Sequence, residues 1–362
     1  MTACVRDTAL ALAAVSAAVS LTACGSGTGN VSDPGSARKI GVLLPDSTTA
    51  RWETRDRPLL EQRIRQLCDD CTIEHADAKG DVAIQQEQMD SSIAHGVDAI
   101  VLAAVDARAM SASVGKAAAA HIPVIAYDRL AEGPISGYVS FDGLEVGRLQ
   151  GKALLTAMGA KAHDGRIVMM NGDPGDPNAL SFKQGALSEL QGKVTIAKEY
   201  DTPEWSTETA DLNMTEAVSA LGAGSITGVY AANDGLAAGS IAALKADKVS
   251  PLPPVTGQDA ELAAVRRIVG AEQYMTVYKP FGPEAAAGGA MAVAAARGQR
   301  LDGVATGRVK THSGEEVPAV LLTPVSVTLA TIRDTVVKDG VYTLKQICAP
   351  PLAGECRRAG LT

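Results

Sequence analysis

Charged and aromatic side chains stand close behind several apolar, strand-like segments. Arg51 and Trp52 follow the segment KIGVLLP after a short polar stretch. Asp128 and Arg129 end the segment PVIAYDR, and Lys279 follows YMTVY. Open α/β sheets bind their ligands at the carboxyl ends of the strands. Helix capping explains an Asp or Asn at such a place, but it does not explain Arg129 or Lys279.

These residue types are suited to binding a compound with several hydroxyl groups. Arginine presents donors in one plane, aspartate accepts hydrogen bonds, and asparagine does both. A sugar also has an apolar C–H face, which packs well against an indole. The chain has only 2 Trp, one beside Arg51 and the other, Trp205, after the strand-like segment VTIAKEY. We therefore expect both rings to face a binding site, and we expect Trp52 to lie outside the hydrophobic core.

Motifs of catalysis and metal binding are absent from the sequence. It contains no GxSxG, HExxH or GxxxxGK[ST], and none of its 5 histidines stands beside a serine or cysteine at a predicted strand end. Asp128 and Asp259 are the pair of carboxylates that a sugar-processing enzyme would need. Arg129 and Lys279 would keep both ionised, which removes the acid. We expect no enzymatic activity, no cofactor and no metal.

Composition limits the class of protein. A chain of 362 residues with 46% hydrophobic and 20% charged residues predicts a globular protein of one or two domains. The net charge of −8 argues against a nucleic-acid partner, because phosphates require a basic surface.

Apolar segments alternate with amphipathic ones from Lys39 onward. This alternation predicts parallel sheets covered by helices on both faces. About ten strands are too many for one small doubly wound sheet, so we expect an α/β fold of two doubly wound parallel-sheet domains. We expect Glu53, Arg55 and Asp56 to open the helix after Trp52 as surface and capping residues. The predicted strands are 39–45, 72–77, 99–105, 123–128, 137–142, 166–172, 194–200, 228–234, 253–259 and 274–280.

The N-terminal residues predict an export signal. Residues 8–23 form a short Ala-rich apolar stretch after Arg6, too short for a confident spanning helix, and we predict a signal peptide at 1–23. The stretch ends in LTAC, which resembles the lipobox of bacterial lipoproteins. We therefore expect lipid on Cys24 and a flexible linker at 24–38. An ordinary secretory signal with a chance cysteine is the alternative.

Four cysteines of the mature domain are disulfide candidates, since export leads to an oxidising compartment. Sequence alone allows three pairings. We favour Cys68–Cys71 with Cys348–Cys356, because the second pair closes a short Pro-rich loop. A zinc site of four thiolates is the alternative. A redox-active pair is disfavoured, because the two aspartates of CDDC should raise the pKa values of the thiols.

Several motifs along the chain resemble those of the periplasmic sugar-binding proteins of ABC importers, and among them the members that bind D-xylose. The resemblance covers roughly residues 39–345, nearly the whole mature chain. GQDAEL together with TVYKP is its most specific part. The matching motifs are RW, YDR, VSFD…VG, MNGDPGDPNA, EW, AANDGLAAG, GQDAELAAVRRI, MTVYKP and LLTPVSV.

The resemblance implies the type I periplasmic-binding-protein fold, in which three hinge crossings join the two domains. The domains close over a ligand held in the cleft between them. It implies an N-terminal domain of residues 39–142 and 259–322 and a C-terminal domain of residues 143–258 and 323–345. The tail at 346–362 looks like an addition to the family pattern.

The resemblance also assigns the residues that hold the ligand, which is expected to be D-xylose or a related aldose. Lys183 stands where the family often has Arg. The segment PDSTTA, at the end of the first predicted strand, is less acidic than its counterpart in the family, so the exact ligand preference is left open. The implied ligand-binding residues are Arg51, Trp52, Asp128, Arg129, Asp176, Asn178, Trp205, Asn233, Asp259 and Lys279.

The partners implied are the membrane permease of an ABC importer and its cytosolic ATPase, with a monomeric binding protein held at the membrane by Cys24. A transcriptional repressor of the same fold is disfavoured, because an export signal occupies the place of the DNA-binding segment. A role as a sugar sensor for a signalling receptor is compatible with transport and stays open.

Overall fold

The computed structural model describes residues 37–361, so the predicted signal peptide and Cys24 lie outside the described part of the chain. Between residues 37 and 361, no helix combines the length and the apolar character needed to span a bilayer. The strands are β1 Lys39–Leu44, β2 Thr72–Asp77, β3 Ala99–Leu102, β4 Val124–Tyr127, β5 Gly137–Phe141, β6 Arg166–Met170, β7 Thr195–Tyr200, β8 Gly228–Ala231, β9 Met275–Tyr278, β10 Gly307–Lys310, β11 Glu316–Leu322 and β12 Val325–Thr328. The α-helices are α1 Arg57–Leu67, α2 Val82–Ala94, α3 Ser111–Ala119, α4 Gly143–Met158, α5 Pro177–Leu190, α6 Thr207–Leu221, α7 Asp234–Ala246, α8 Leu262–Val269, α9 Phe281–Ala296, α10 Leu344–Ile347 and α11 Ala353–Arg358.

One sheet organises the first lobe, which we define as residues 37–142 and 280–322. Its strand order is β10-β11-β5-β4-β3-β1-β2, and all neighbours are parallel except β10 with β11. α1 and α9 cover one face of the sheet, and α2 and α3 cover the other. A strand covered on both faces is apolar along its length, and residues 40–44 of β1 are accordingly all buried.

A second sheet organises the second lobe, residues 143–279 and 323–361. It contains the parallel strands β7-β6-β8 and the antiparallel pair β9-β12. The extended segment 254–258 joins these two parts. The amide of Val229 donates to the carbonyl of Pro254 (2.9 Å), and the amide of Val277 donates to that of Gly257 (3.0 Å). The order across the joined sheet is therefore β7-β6-β8-(254–258)-β9-β12.

The chain crosses between the lobes three times, near 141–143, 279–281 and 322–325. The second crossing differs from the domain boundary placed at residue 259 from the sequence. Residues 259–278 lie in the second lobe, because β9 pairs with β12 and the preceding loop follows the segment 254–258. The boundary between the lobes therefore moves to about residue 280.

Disulfides join Cys68 to Cys71 and Cys348 to Cys356, which is the pairing favoured from the sequence. All four sulfurs are used in these bonds, so the zinc site of four thiolates has no ligands. Cys356 lies in the C-terminal tail, whose apolar side chains pack in one cluster with those of α8 in the second lobe.

Candidate functional site

A small cavity lies between the two lobes. Its walls come from the segments that follow β1 and β4 in the first lobe and β6, β7, β8 and β9 in the second. Thr49, Phe182 and Gln258 line it without having been predicted. All ten residues predicted for the site also line it: Arg51, Trp52, Asp128, Arg129, Asp176, Asn178, Trp205, Asn233, Asp259 and Lys279.

Two of these residues also cap helices that start at the cavity. Asp176 accepts a hydrogen bond from the amide of Asn178 (2.9 Å) at the start of α5. Asn233 accepts one from the amide of Leu236 (2.9 Å) at the start of α7. Capping and a place in the cavity wall are therefore compatible, because each helix begins where a strand has just ended.

Arg51 is the centre of a buried network of carboxylates. Its Nε and Nη2 donate to the two oxygens of Asp56 (2.7 and 2.8 Å). Nη2 also donates to Glu284 (2.7 Å), and Nη1 donates to Asp128 (2.7 Å). Its side chain is 2% exposed. All three nitrogens therefore already have carboxylate partners, and Arg51 holds the cavity wall together as well as facing the cavity.

Asp56 and Glu284 were not assigned to the site from the sequence. Asp56 was expected at the surface as a capping residue, and that expectation is wrong, because its exposure is 0%. Besides Arg51, it accepts a hydrogen bond from the hydroxyl of Tyr127 (2.6 Å), and burial raises the pKa of that tyrosine so that it stays a donor. Glu284 is also fully buried, in the first turn of α9, behind Arg51. The sequence of α9, which is Ala-rich with a single acidic residue, does not indicate this role.

Asp128 accepts hydrogen bonds from both lobes. Arg51 of the first lobe donates at 2.7 Å, while Asn178 (2.8 Å) and Lys279 (3.3 Å) of the second lobe donate to the same carboxylate. Burial acts to raise the pKa of Asp128, but Arg51 and then Lys279 hold it well below its ordinary value. Asp128 is therefore ionised and serves as an acceptor, not as an acid.

The backbone of Asp128 is held in a conformation that few L-residues adopt, with φ at 59°. Its carbonyl accepts hydrogen bonds from Ser140 (2.6 Å), Tyr138 (3.1 Å) and Asn178 (3.1 Å), which fix it there. Trp205 and Asp259 also have positive φ, at 52° and 89°. Such backbone strain tends to gather at functional sites, where the surrounding structure holds it in place.

The lobes are closed on each other around the cavity. Arg129 of the first lobe pairs with Asp176 of the second (Nε to Oδ2, 2.7 Å) while its Nη1 donates to the carbonyl of Ala104 (2.9 Å). The amide of Ala107 donates to the carbonyl of Gly175 across the cleft (3.2 Å). These contacts cannot survive opening of the lobes, so they are specific to the closed form.

The cavity also holds the ion pair of Lys279 with Asp259, at 3.1 Å. Lys279 follows β9 and lies at the second crossing between the lobes, so its position depends on both. Lys183, which stands where the resemblance expects Arg, pairs with Glu199 and is not part of the cavity lining.

Trp52 belongs both to the cavity wall and to the core of the first lobe. It is 2% exposed and part of the apolar cluster under α1 and α9, so the expectation that it lies outside the core is wrong. The guanidinium carbons of Arg51 and Arg129 lie 4.5 and 5.6 Å from its ring centre. Both are within the range of cation–π attraction, which ties the ring to the two arginines.

Trp205 lies against the backbone at the end of β6. A methyl group added at Gly172 would come within 2.0 Å of the indole Cη2, so only glycine leaves room for the ring here. Phe182 packs against the indole with the ring centres 6.5 Å apart. The place of Trp205 in the cavity wall therefore depends on Gly172, a residue that sequence analysis passed over within the motif MNGDPGDPNA.

Several buried polar atoms of the cavity wall have no hydrogen-bond partner among residues 37–361. They are the indole Nε1 of Trp52, the indole Nε1 of Trp205 and the Oε1 of Gln258. Unpaired buried polar groups are costly, and ligand hydroxyls would satisfy them. The arrangement of ionised side chains, free donors and acceptors, and aromatic faces suits a small polar ligand with an apolar face.

The chain matches known binding proteins over most of its length. The family described as "Periplasmic binding protein domain" matches residues 40–300. The D-xylose-binding periplasmic protein of Escherichia coli is 34% identical over 310 residues, 84% of this chain and 91% of that protein. The protein of the same description from Haemophilus influenzae is 32% identical over 316 residues, 85% of this chain and 92% of that protein.

Solved structures agree with this similarity. An ABC transporter solute-binding protein of Clostridium phytofermentans, with bound β-D-glucose, superposes with a TM-score of 0.77 and 27% sequence identity. The match covers 86% of this chain and 100% of that protein.

Proposed function

We propose that this chain, which belongs to the periplasmic binding protein domain family, captures one monosaccharide outside the cytoplasm and delivers it to the permease of an ABC importer. Sugar binding for ABC transport is the function common to its relatives, and these are transport proteins rather than enzymes. The fold is the type I periplasmic-binding-protein fold expected from the sequence. The proposal adds the ligand, D-xylose or a related aldose, the delivery step and a lipid anchor on Cys24.

One observation carries the proposal: the closed cavity is lined by residues of both lobes whose free polar atoms and aromatic rings match a sugar. Trp52 and Trp205 offer indole faces and Nε1 donors, and Asp128 offers an ionised acceptor. Charged partners form stronger hydrogen bonds than neutral ones, which offsets the desolvation of sugar hydroxyls.

The similar proteins narrow the choice of sugar. The two relatives named for D-xylose favour a pentose, and the structural neighbour with bound β-D-glucose makes a hexose the alternative to test.

Closure by hinge motion supports the delivery step. The pairs Arg129–Asp176 and Asn178–Asp128 join the lobes across the cavity. A ligand between the lobes stabilises the closed form by its contacts with both lobes, and a permease can recognise that form. We propose that the protein acts as a monomer, held at the outer face of the cell membrane by lipid on Cys24.

Titration of the purified protein with D-xylose, D-glucose, D-galactose, L-arabinose and D-ribose tests the proposal. Calorimetry and tryptophan fluorescence should both report binding of at least one aldose, with D-xylose or a close relative as the tightest. Leu212→Ala, at an exposed position outside the cavity lining, is the matched control and should bind like the wild type. Absence of binding to all five sugars would refute the assignment.

A further inference from the structure

Buried carboxylates outnumber buried cations around Arg51. Arg129 and Asp176 form a separate pair of opposite charges. The remaining cations are Arg51 and Lys279, whose exposures are only 3% and 4%. They face four buried carboxyl groups, which is two more than they can neutralise: Asp56, Asp128, Asp259 and Glu284. Buried unpaired charge is strongly destabilising, so such a group takes up a proton.

The contacts of each carboxyl group show which of the four is the best site for a proton. Asp56 accepts three hydrogen bonds, two from Arg51 and one from Tyr127. Asp128 accepts from three different side chains. Glu284 accepts one hydrogen bond, at Oε2, and its buried Oε1 has no partner among the described residues. Asp259 accepts no hydrogen bond from residues 37–361, but its Oδ1 lies 3.1 Å from Nζ of Lys279 and 3.8 Å from Nη1 of Arg51, so it faces two cations. Glu284 contacts a single cation through one oxygen, and it thus gains least from being ionised.

We propose that Glu284 is a positioning residue for Arg51 and that it acts as a neutral carboxylic acid at neutral pH. Its carbonyl oxygen accepts from Nη2 of Arg51, which holds the guanidinium with Nη1 directed to Asp128 and the cavity. As a neutral group it does this without adding negative charge to the wall. The proposal concerns the folded first lobe and does not depend on which ligand the cavity takes.

The groups that face Glu284 come from three parts of the chain, and together they favour the neutral form. Burial raises the pKa of Glu284 well above its ordinary value, against the opposing charge of Arg51, and neighbouring carboxylates raise it further. The facing groups are Arg51 and Asp56 of the turn before α1, Tyr127 and Asp128 at the end of β4, and Lys279 after β9.

A raised pKa of Glu284 in the folded state fixes the sign of the pH dependence. The contribution of Glu284 to stability is complete below its ordinary pKa of 4.5 and is lost as the pH rises toward the folded value. Glu284→Gln removes this titration and keeps the size and neutrality of the acid. The ratio of the unfolding constant of the wild type to that of E284Q should therefore rise about tenfold per pH unit between about pH 5.5 and 7.5.

The experiment is urea unfolding of ligand-free wild type and E284Q, followed by circular dichroism across that pH range. Asp56→Asn is the matched control, since it removes the other carboxylate behind Arg51. Its unfolding constant relative to the wild type should be raised throughout, because an amide replaces the acceptor of three hydrogen bonds, and without that tenfold slope, because Glu284 is present in both proteins. A wild-type to E284Q ratio that stays constant with pH would overturn the proposal. Failure of E284Q to fold would overturn it as well, because an amide replaces a neutral acid without changing its charge or size.

Discussion

Replacing Arg51 by Met tests whether this residue holds the first lobe together. The change keeps much of the apolar stem, which packs beside Trp52, and removes the guanidinium. Four hydrogen bonds to Asp56, Asp128 and Glu284 disappear with it. Asp56 and Asp128 then keep only the donors Tyr127, Asn178 and Lys279, and Glu284 keeps no donor among the described residues.

The structure sets the size of the effect. Removing one partner of a buried ion pair costs about 3–5 kcal/mol, because the other charge stays buried without compensation. Arg51 pairs with Asp56 and Asp128 and also holds the neutral Glu284, so we expect the free energy of unfolding of R51M to fall by at least about 3 kcal/mol at neutral pH. That is a large part of the roughly 5–15 kcal/mol that keeps an ordinary domain folded.

R51M should regain part of the lost free energy of unfolding in mild acid. In the wild type the pKa of Asp128 is lowered, so its contribution is present above the ordinary pKa of 3.8 and is lost only as the pH falls below that value. Without Arg51 the pKa of Asp128 rises, because burial is no longer opposed by the guanidinium, so the variant gains stability as the pH falls. R51M should therefore lie closer to the wild type at about pH 5 than at about pH 7.5.

Urea unfolding at these two pH values measures the effect. Arg65→Met is the control, because its side chain is 59% exposed and pairs with Glu61 at the surface. That change should shift the free energy of unfolding by about 0.5 kcal/mol or less. If R51M were no less stable than R65M at neutral pH, the view of Arg51 as a structural centre would be wrong.

Two further predictions concern the ligand and the membrane. Trp205→Ala should weaken binding of the preferred aldose by about 1–3 kcal/mol in calorimetry, because one apolar face of the sugar loses its cover. An unchanged affinity would remove Trp205 from the contact surface. Cys24→Ala should release the protein from membranes into the soluble fraction after cell breakage, because it removes the only lipid attachment point proposed. Continued recovery with membranes would contradict the lipid anchor.

The strands were predictable from sequence because a parallel sheet covered on both faces leaves an apolar segment in the chain. Nine of the ten predicted segments contain regular strands, with ends shifted by a few residues. The exception is 253–259, whose residues 254–258 bridge β8 and β9 without forming a full strand. β10, β11 and β12 were not predicted, since they lie at sheet edges or in antiparallel pairs and have more mixed sequences.

Residues in the cavity wall were predictable where the resemblance covered them. The buried residues that hold them in position were not. Arg51 was visible because an arginine beside a tryptophan is unusual in a chain with 2 Trp. Asp56 looked like a helix-opening residue, and only the fold shows that it is buried against Arg51. Glu284 is 233 positions away from Arg51, so no local pattern connects the two.

Interleaving of the lobes along the chain has a consequence for the order in which the protein can be made. β11 lies between β5 and β10 in the first sheet, yet it is synthesised after every strand of the second sheet except β12. α9, which covers one face of the first sheet, also follows β9. Domains usually fold as units during synthesis, starting from the N-terminus. Here the first lobe stays incomplete until residue 322 has emerged, so a partly translated chain exposes apolar surface that the finished protein covers.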